Sequence, residues 1–407
     1  MPTRYTQMPK LPGEVVDSVI DCFSSDMKAL GICSLVCSEW LHRSRFHLFS
    51  TVHLSSWRIR TFSELIRSPA CTIAPYVSQI EISGSSRASK GPQCDSVTTV
   101  CDALSLIASH QPSFSLRVTS IQLRNFDWTT FDFPDQTTIA RNLTRLTSTT
   151  RLELHRVVFQ DMRSLIRLLD SIPSILHASA TNIMFTTYMD HLVSPALPKS
   201  LTSLELGPGD EVPAFLRSLA ACSGSDAVPG IRSLTLYGLR DEDIGYLSPA
   251  LRTLRHSLQH LRVVFWEGRT CTAQRACAQV QAEEDLTRGI VLSSLSCLRT
   301  VSLEIEDQSR LIDTHTCSPR MAASLPAVLS ILASEELEDM EISFRSAAVN
   351  VDWSRAADAL LSQRPHFGNF NNVRVKLPLF HEDGRLGVKE LEEEVRGSMA
   401  PLHESRV

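Results

Sequence analysis

The 407-residue chain carries 45 acidic and 40 basic side chains for a formal net charge of -5, and it is 43% hydrophobic and 21% charged. This near-balance leaves no basic footprint for nucleic acid or an anionic membrane, and the apolar content is that of a folded protein rather than a disordered one. The length suits two or three domains of about 100–200 residues, or one extended repeat array.

The opening residues MPTRYTQMPKLPGE contain no apolar core of signal-peptide type, and no stretch reaches about 18 uninterrupted apolar residues. The expected location is therefore cytoplasmic and/or nuclear. In those compartments the 11 cysteines are expected to be reduced thiols. The Asn142-Leu143-Thr144 sequon is then idle.

The first predicted elements lie in LPGEVVDSVIDCFSSDMKALGICSLVCSEWLHRSRFHLFS, from Leu11 to Ser50. Pro12 suits the first turn of a helix, and Val15, Val16, Val19, Ile20 and Phe23 follow at helical spacing. The SSD stretch offers capping side chains for a second helix. Its Met27, Leu30, Ile32, Cys33, Leu35, Val36 and Cys37 leave scarcely any polar face, which predicts burial on nearly all sides. Ser38 is placed to cap a third helix carrying Trp40, Leu41, Phe46, Leu48 and Phe49. Three short helices cannot bury this much surface among themselves, so the surplus calls for a partner.

Residues Ser55 to Ala74 read as either a helix or a linker. From about residue 75 an apolar-x-x-apolar-x-apolar pattern recurs, marked by Ile80, Ile121, Leu152, Ile183, Leu204, Leu234, Leu261, Val301, Met340 and Val373. The interval drifts around about thirty residues, in the range of solenoid repeats. Each mark predicts a short half-buried strand. Helical patterns such as MRSLIRLLDSI (Met162 to Ile172) and VPAFLRSLAAC (Val212 to Cys222) lie between them. Strand and helix in alternation require parallel strands. A polar loop is expected from Gly84 to Ser96, and Val388, Leu391, Val395 and Met399 suggest a terminal capping helix.

Two resemblances follow. The repeated L-x-x-L-x-L signature resembles leucine-rich repeats, although the asparagine or cysteine usual after the last strand leucine is missing, and Asn125 misses that slot by one. LPGEVVDSVI resembles the L-P-x-E-[IV] opening of an F-box, and CSLVCSEW its V-C-x-x-W core. HRSRFHLFSTVHL is similar to the continuation in fungal F-box proteins. The implied fold is α/β: an F-box at 8–54, a curved leucine-rich-repeat-like solenoid with outer helices at 55–380, and a capping helix and tail at 381–407.

The F-box resemblance implies that Leu11, Pro12, Val15, Val16, Ile20, Leu35, Val36, Cys37 and Trp40 form the element that clasps the Skp-type adaptor of a cullin–RING ubiquitin ligase. Some of these residues must be internal core. The repeats imply a concave surface bearing Glu81, Gln122, Arg124, Glu153, His155, Glu205, Tyr237, Arg262, Glu304, Glu341, Arg374 and Lys376. Of these, Arg124, Glu153, Tyr237, Arg262, Glu341 and Arg374 are the candidate contacts to a protein target.

No reaction chemistry stands out beside these surfaces. Cys33, Cys37, His42 and His47 have the wrong spacing for a zinc finger. GPGDEVP lacks the third glycine of a dinucleotide turn, and no phosphate-binding or serine-hydrolase motif is present. Glu283 to Asp285 and Glu392 to Glu394 read as solvated charge runs. The expectation is a non-enzymatic substrate adaptor without cofactor or metal, acting by holding a target near the ubiquitin-carrying subunit. The alternatives are an F-box scaffold outside a ligase, or an α/β enzyme with a helical cap.

Overall fold

In this computed structural model the described residues are 11–84, 96–109, 118–187, 197–208, 211–221, 230–239, 244–267, 295–307, 329, 336–344, 353–363, 372–376, 393 and 397. The charge run 283–285, loop residues 85–95 and the four apolar positions expected in the terminal helix lie outside them. Two compact units are distinguished, Met1–Glu153 with Ser171–Ser174, and Leu154–Asp170 with Ile175–Val407.

The first unit opens with α1 (Gly13–Asp21), α2 (Met27–Cys33) and α3 (Ser38–Phe49). The Asp26 side chain caps α2 by accepting from the backbone N–H groups of Lys28 and Ala29, both at 3.0 Å. Ser38 is not the cap expected for α3. It is already the first helical residue, and extended Cys37 stands at the N-cap without a capping side-chain bond. The helices share a small core of Val16, Ile20 and Leu30, against which Trp40 and Leu48 pack.

A strand then appears ahead of the first register mark. Strand β1 (Thr51–Ser55) pairs in parallel with β2 (Gln79–Ser83), Val52 opposite Ile80, and β2 pairs with β3 (Ser120–Arg124), Ile80 opposite Ile121. The segment between β1 and β2 contains α4 (Ser56–Arg67), so the stretch that read as helix or linker is largely helix. Helices α5 (Ser96–Ser109) and α6 (Phe133–Thr144) pack together beyond it. The Asp132 carboxylate caps α6 through the Asp135 N–H at 2.9 Å. Along β2 and β3 the apolar residues point inward, and Glu81, Gln122 and Arg124 lie on the opposite, partly exposed face.

The division between the units falls within β4 (Arg151–His155). In the second unit a two-residue strand β5 (Val158–Phe159) precedes α7 (Met162–Asp170). Strand β6 (His177–Thr181) follows, and β7 (Met184–Phe185) pairs with β5 as a separate small sheet. The mark at Ile183 is therefore wrong. Ile183 lies between β6 and β7, and the residue in sheet register is Ala178, opposite Leu204 of β8 (Ser203–Leu206). Strand β6 reads HASAT, with alanines where its neighbours carry leucine, so its alternation is weak in the sequence.

Helix α8 (Glu211–Ala221) leads to β9 (Ser233–Leu239), and α9 (Ile244–Thr253), packed on α8, leads to β10 (His260–Glu267). Strands β11 (Thr300–Asp307) and β12 (Asp339–Phe344) follow, then α10 (Trp353–Gln363) and β13 (Asn372–Lys376). From β6 through β8 to β13 each main-sheet strand pairs in parallel with the next. This is α/β architecture with strand-and-helix units, as the periodicity implied. The ladder Leu204, Leu234, Leu261, Val301 and Met340 is buried at 2% exposure or less. Each such leucine removed from water contributes about 1.5–3 kcal/mol to the unit.

The residue after the strand has a recurring backbone. Asn125, Arg156 and Asn182, which follow β3, β4 and β6, take positive φ of 57°, 54° and 56°. Asparagine takes this left-handed conformation readily, whereas arginine does so at a steric cost. Gly238 (φ 75°) is the extra residue where β9 bulges against β10, between the Tyr237–Val264 and Leu239–Phe265 pairs.

Candidate functional site

The candidate residues lie on the N-terminal helices and on the polar strand face of each unit. The first surface is that of the three N-terminal helices. The Pro12 carbonyl begins α1 by accepting from the N–H groups of Val15 and Val16 at 3.0 and 3.2 Å. Because Val15 and Val16 are adjacent, α1 carries two apolar stripes. Val16 and Ile20 turn into the small core, while Val15, Val19 and Phe23 remain exposed four residues apart.

The composition of α2 predicts burial on nearly all sides, and the structure contradicts this. Leu30 and Cys33 are buried, whereas Met27 and Ile32 are exposed, Ile32 at 69%. The helix is only seven residues long and packs on α3, so one stripe finds partners and the other faces away. In the following turn Leu35 is 86% exposed and Val36 57%. Leu11 is also exposed, at 60%.

Of the candidate adaptor contacts, then, Leu11, Pro12, Val15, Leu35, Val36 and Cys37 lie at the surface. Val16 and Ile20 are interior, and Trp40 is half-buried against them. Val19, Phe23, Met27 and Ile32 join the exposed group without having been singled out. The i, i+4 spacing of Val15, Val19 and Phe23 was the available signal. Large apolar side chains exposed in such number over one short stretch are unusual on a folded chain.

Polar contacts fix the helices beneath that surface. Asp21 at the end of α1 receives Arg43 Nε at 2.6 Å and Arg43 Nη2 at 2.7 Å, and His47 Nε2 lies 2.7 Å from it. These hydrogen bonds, Arg43's first, hold the Asp21 carboxyl well below the usual carboxylate range. His42 instead meets the Tyr76 hydroxyl at 3.0 Å, Cys33 is buried and Cys37 exposed. Among the described residues no three His, Cys, Asp or Glu side chains are grouped as metal ligands. The Cys101 thiol of α5 is pushed up to about 11, by burial first and nearby aspartates second.

The second surface is the polar face of the strands. In the first unit Glu81 meets His53 at 2.8 Å and Arg124 at 3.4 Å. Gln122 donates to Glu153 at 2.9 Å, and Arg151 pairs with the same carboxylate at 2.6 Å.

In the second unit His155 meets Thr181 at 2.8 Å. Arg262 donates to Glu304 at 2.8 Å and lies over the Tyr237 ring, 5.5 Å from its centroid. The Tyr237 hydroxyl is raised above its ordinary pKa, by burial first and then by Glu205. Glu304, on the same face, is buried. Lys376 pairs with Glu341 at 2.8 Å.

Beside the Tyr237 group lies an open groove of about 250 Å³ between β9 and β13. Arg262, Glu341 and Arg374 all line it. Tyr237 stands at the bulge next to it, and Arg124 and Glu153 belong to the first unit. Gly207 and Pro208 of the GPGDEVP stretch follow β8 directly, and α8 begins at Glu211. No helix among the described residues is long and apolar enough to cross a membrane.

No protein-family model and no curated protein matches the chain. Among solved structures, the leucine-rich repeat-containing protein LegL7 from Legionella pneumophila is similar at 14% identity. The alignment covers 85% of this chain and 98% of that one, with a TM-score of 0.39.

Proposed function

We propose that this chain is a substrate adaptor of a Skp–cullin–F-box ubiquitin ligase, with α1 to α3 as the F-box and the strand units as a leucine-rich-repeat-like target-binding array. The observation that carries the reading is the N-terminal surface. Eight large apolar side chains between Leu11 and Val36 are exposed although α2 is capped by Asp26 and α1 is clasped to α3 by Asp21 and Arg43. They overlap the stretch that resembles an F-box, and a Skp-type adaptor is the partner that resemblance implies. Burying such a surface on a partner supplies the main favourable term of association.

The polar sheet face gives the adaptor its second binding surface. Mixed charge with an aromatic side chain suits a protein target. Two surfaces on one chain raise the effective concentration of target near the ligase without chemistry at either. The adaptor needs no cofactor and no metal.

The test is co-purification with a Skp-type adaptor, comparing the intact chain with Leu11→Ala/Leu35→Ala. Both side chains point outward, so the circular dichroism and melting of the variant should match the parent. Retention by the intact chain and loss of at least tenfold in the variant is the expected result. An intact chain that fails to bind removes the F-box assignment.

A further inference from the structure

The groove of the second unit has an internal order that narrows its ligand. Strand β11 contributes the short hydroxyl side chains Thr300 and Ser302, and its neighbours β10 and β12 carry longer ones in register. Neighbouring strands lie about 4.8 Å apart, so the result is a trough roughly two strand spacings wide running along β11. His260 and Arg262 line one side of it. Asp339 and Glu341 line the other, with Arg374 of β13 beyond.

Most charges here are already matched. Arg262 is taken by Glu304, and Glu341 by Lys376. Two are not. The Asp339 carboxylate accepts from the neutral Asn372 amide at 3.1 Å and has no cationic partner among the described residues. Arg374 is exposed, and no carboxylate among the described residues pairs with it. Asn372 stands opposite Asp339 in the ladder, and Arg374 is two residues further along the same strand. The two opposite charges are therefore offset along the strands by about 6.6 Å, the distance between alternate side chains of an extended chain.

We propose that this trough takes an extended segment of the target protein carrying a basic and an acidic side chain two residues apart. The basic one meets Asp339 and the acidic one meets Arg374. The inference rests on the reading of the polar sheet face as the target-binding surface and adds the chemistry that face selects.

The experiment uses the full chain and fluorescent nine-residue peptides of Ser and Val with a central Lys-x-Glu, Glu-x-Lys or Gln-x-Gln, read by anisotropy at low ionic strength. One charged order should bind about two- to fivefold more tightly than the other, the size expected of exposed ion pairs. Asp339→Asn and Arg374→Gln should each reduce that preference, and the double variant Asp339→Lys/Arg374→Glu should invert it. Equal binding of both orders, no binding of either, or a preference that survives the substitutions overturns the proposal. Adaptor co-purification is read on the same preparation. Adaptor binding without order preference sinks the peptide inference alone, whereas order preference without adaptor binding sinks the F-box reading and leaves the trough.

Discussion

The N-terminal helices and the strand units are both rich in apolar residues, but they place them differently. Strands bury theirs on themselves: Ile80, Ile121, Leu204, Leu234 and Leu261 are each at 2% exposure or less. From Leu11 to Phe49, by contrast, the core is small, and Leu11, Val15, Val19, Phe23, Met27, Ile32, Leu35, Val36 and Phe46 are exposed. A repeat supplies each strand with a neighbour of the same kind, so one pattern can satisfy all of them. Three short helices have no such succession. The apolar side chains of the strands serve stability, and the exposed ones of the helices form the surface proposed above for a partner.

The sharpest way to break that comparison is to remove one leucine from each region. Leu234→Ala takes a fully buried side chain from between two paired strands and should destabilise the chain by about 2–5 kcal/mol, through lost burial and the cavity left behind. Leu35→Ala, at an 86% exposed position, should change stability by less than about 0.5 kcal/mol. Chemical denaturation of both variants checks the pair. Equal losses would mean that Leu35 is structural and that the helical surface is no docking face.

Backbone substitutions sharpen the contrast at a smaller scale. Arg156 holds φ at 54° on an exposed side chain, where Asn125 and Asn182 occupy the same place after their strands. Replacing it with glycine removes the steric cost of the left-handed conformation and should stabilise the second unit by about 1 kcal/mol, seen as a later denaturation midpoint. In the helical region Gly31 is mid-helix, with nothing within 4 Å of the position a Cβ would take. Gly31→Ala should raise stability by about 0.5–1 kcal/mol, since alanine loses less backbone freedom in a helix. A drop in stability at Gly31 would mean the space is not free.

These positions also show what could be read from residues alone. Nine of the ten register marks, from Ile80 to Val373, fall on the second residue of a strand, because leucine and β-branched side chains announce a half-buried strand. Ile183 fails for a physical reason. Strand β6 packs with alanines, leaving a stronger apolar pair, Ile183 and Phe185, to imitate the pattern just downstream. Asn182 carried a usable signal, since it stands one residue past its strand as Asn125 does.

Strand β1 was hidden because TVHLS reads as a continuation of the helices before it. At the candidate sites, composition revealed the surplus apolar surface but not its division. The choice between Val15 outward and Val16 inward depends on where α3 lies, and α3 meets α1 through core packing and through Asp21, Arg43 and His47, whose contacts span more than twenty residues of sequence. The grouping of Arg262 with Glu304 and Tyr237 likewise needs strand register, which only pairing defines.

The smallest expected effect concerns the clasp that orients the helical surface. Asp21 joins α1 to α3 through Arg43 and His47, and those hydrogen bonds hold its carboxyl far below its ordinary value. A carboxylate whose folded-state pKa is depressed contributes stability that is fully present above its unfolded value, near 3.9, and lost as pH falls through the lower folded value. Between about pH 4 and lower acid the parent should therefore lose a contribution that Asp21→Asn never had, and their melting temperatures should converge. At neutral pH the variant should melt slightly earlier, by an amount that shrinks with added salt because the pair is partly exposed. The same variant separates orientation from packing at the docking surface. Weaker adaptor binding at neutral pH, with the strand units melting unchanged, would show that the clasp sets the direction of the exposed stripes; unchanged binding would mean that Val16, Ile20 and Leu30 hold that direction without it.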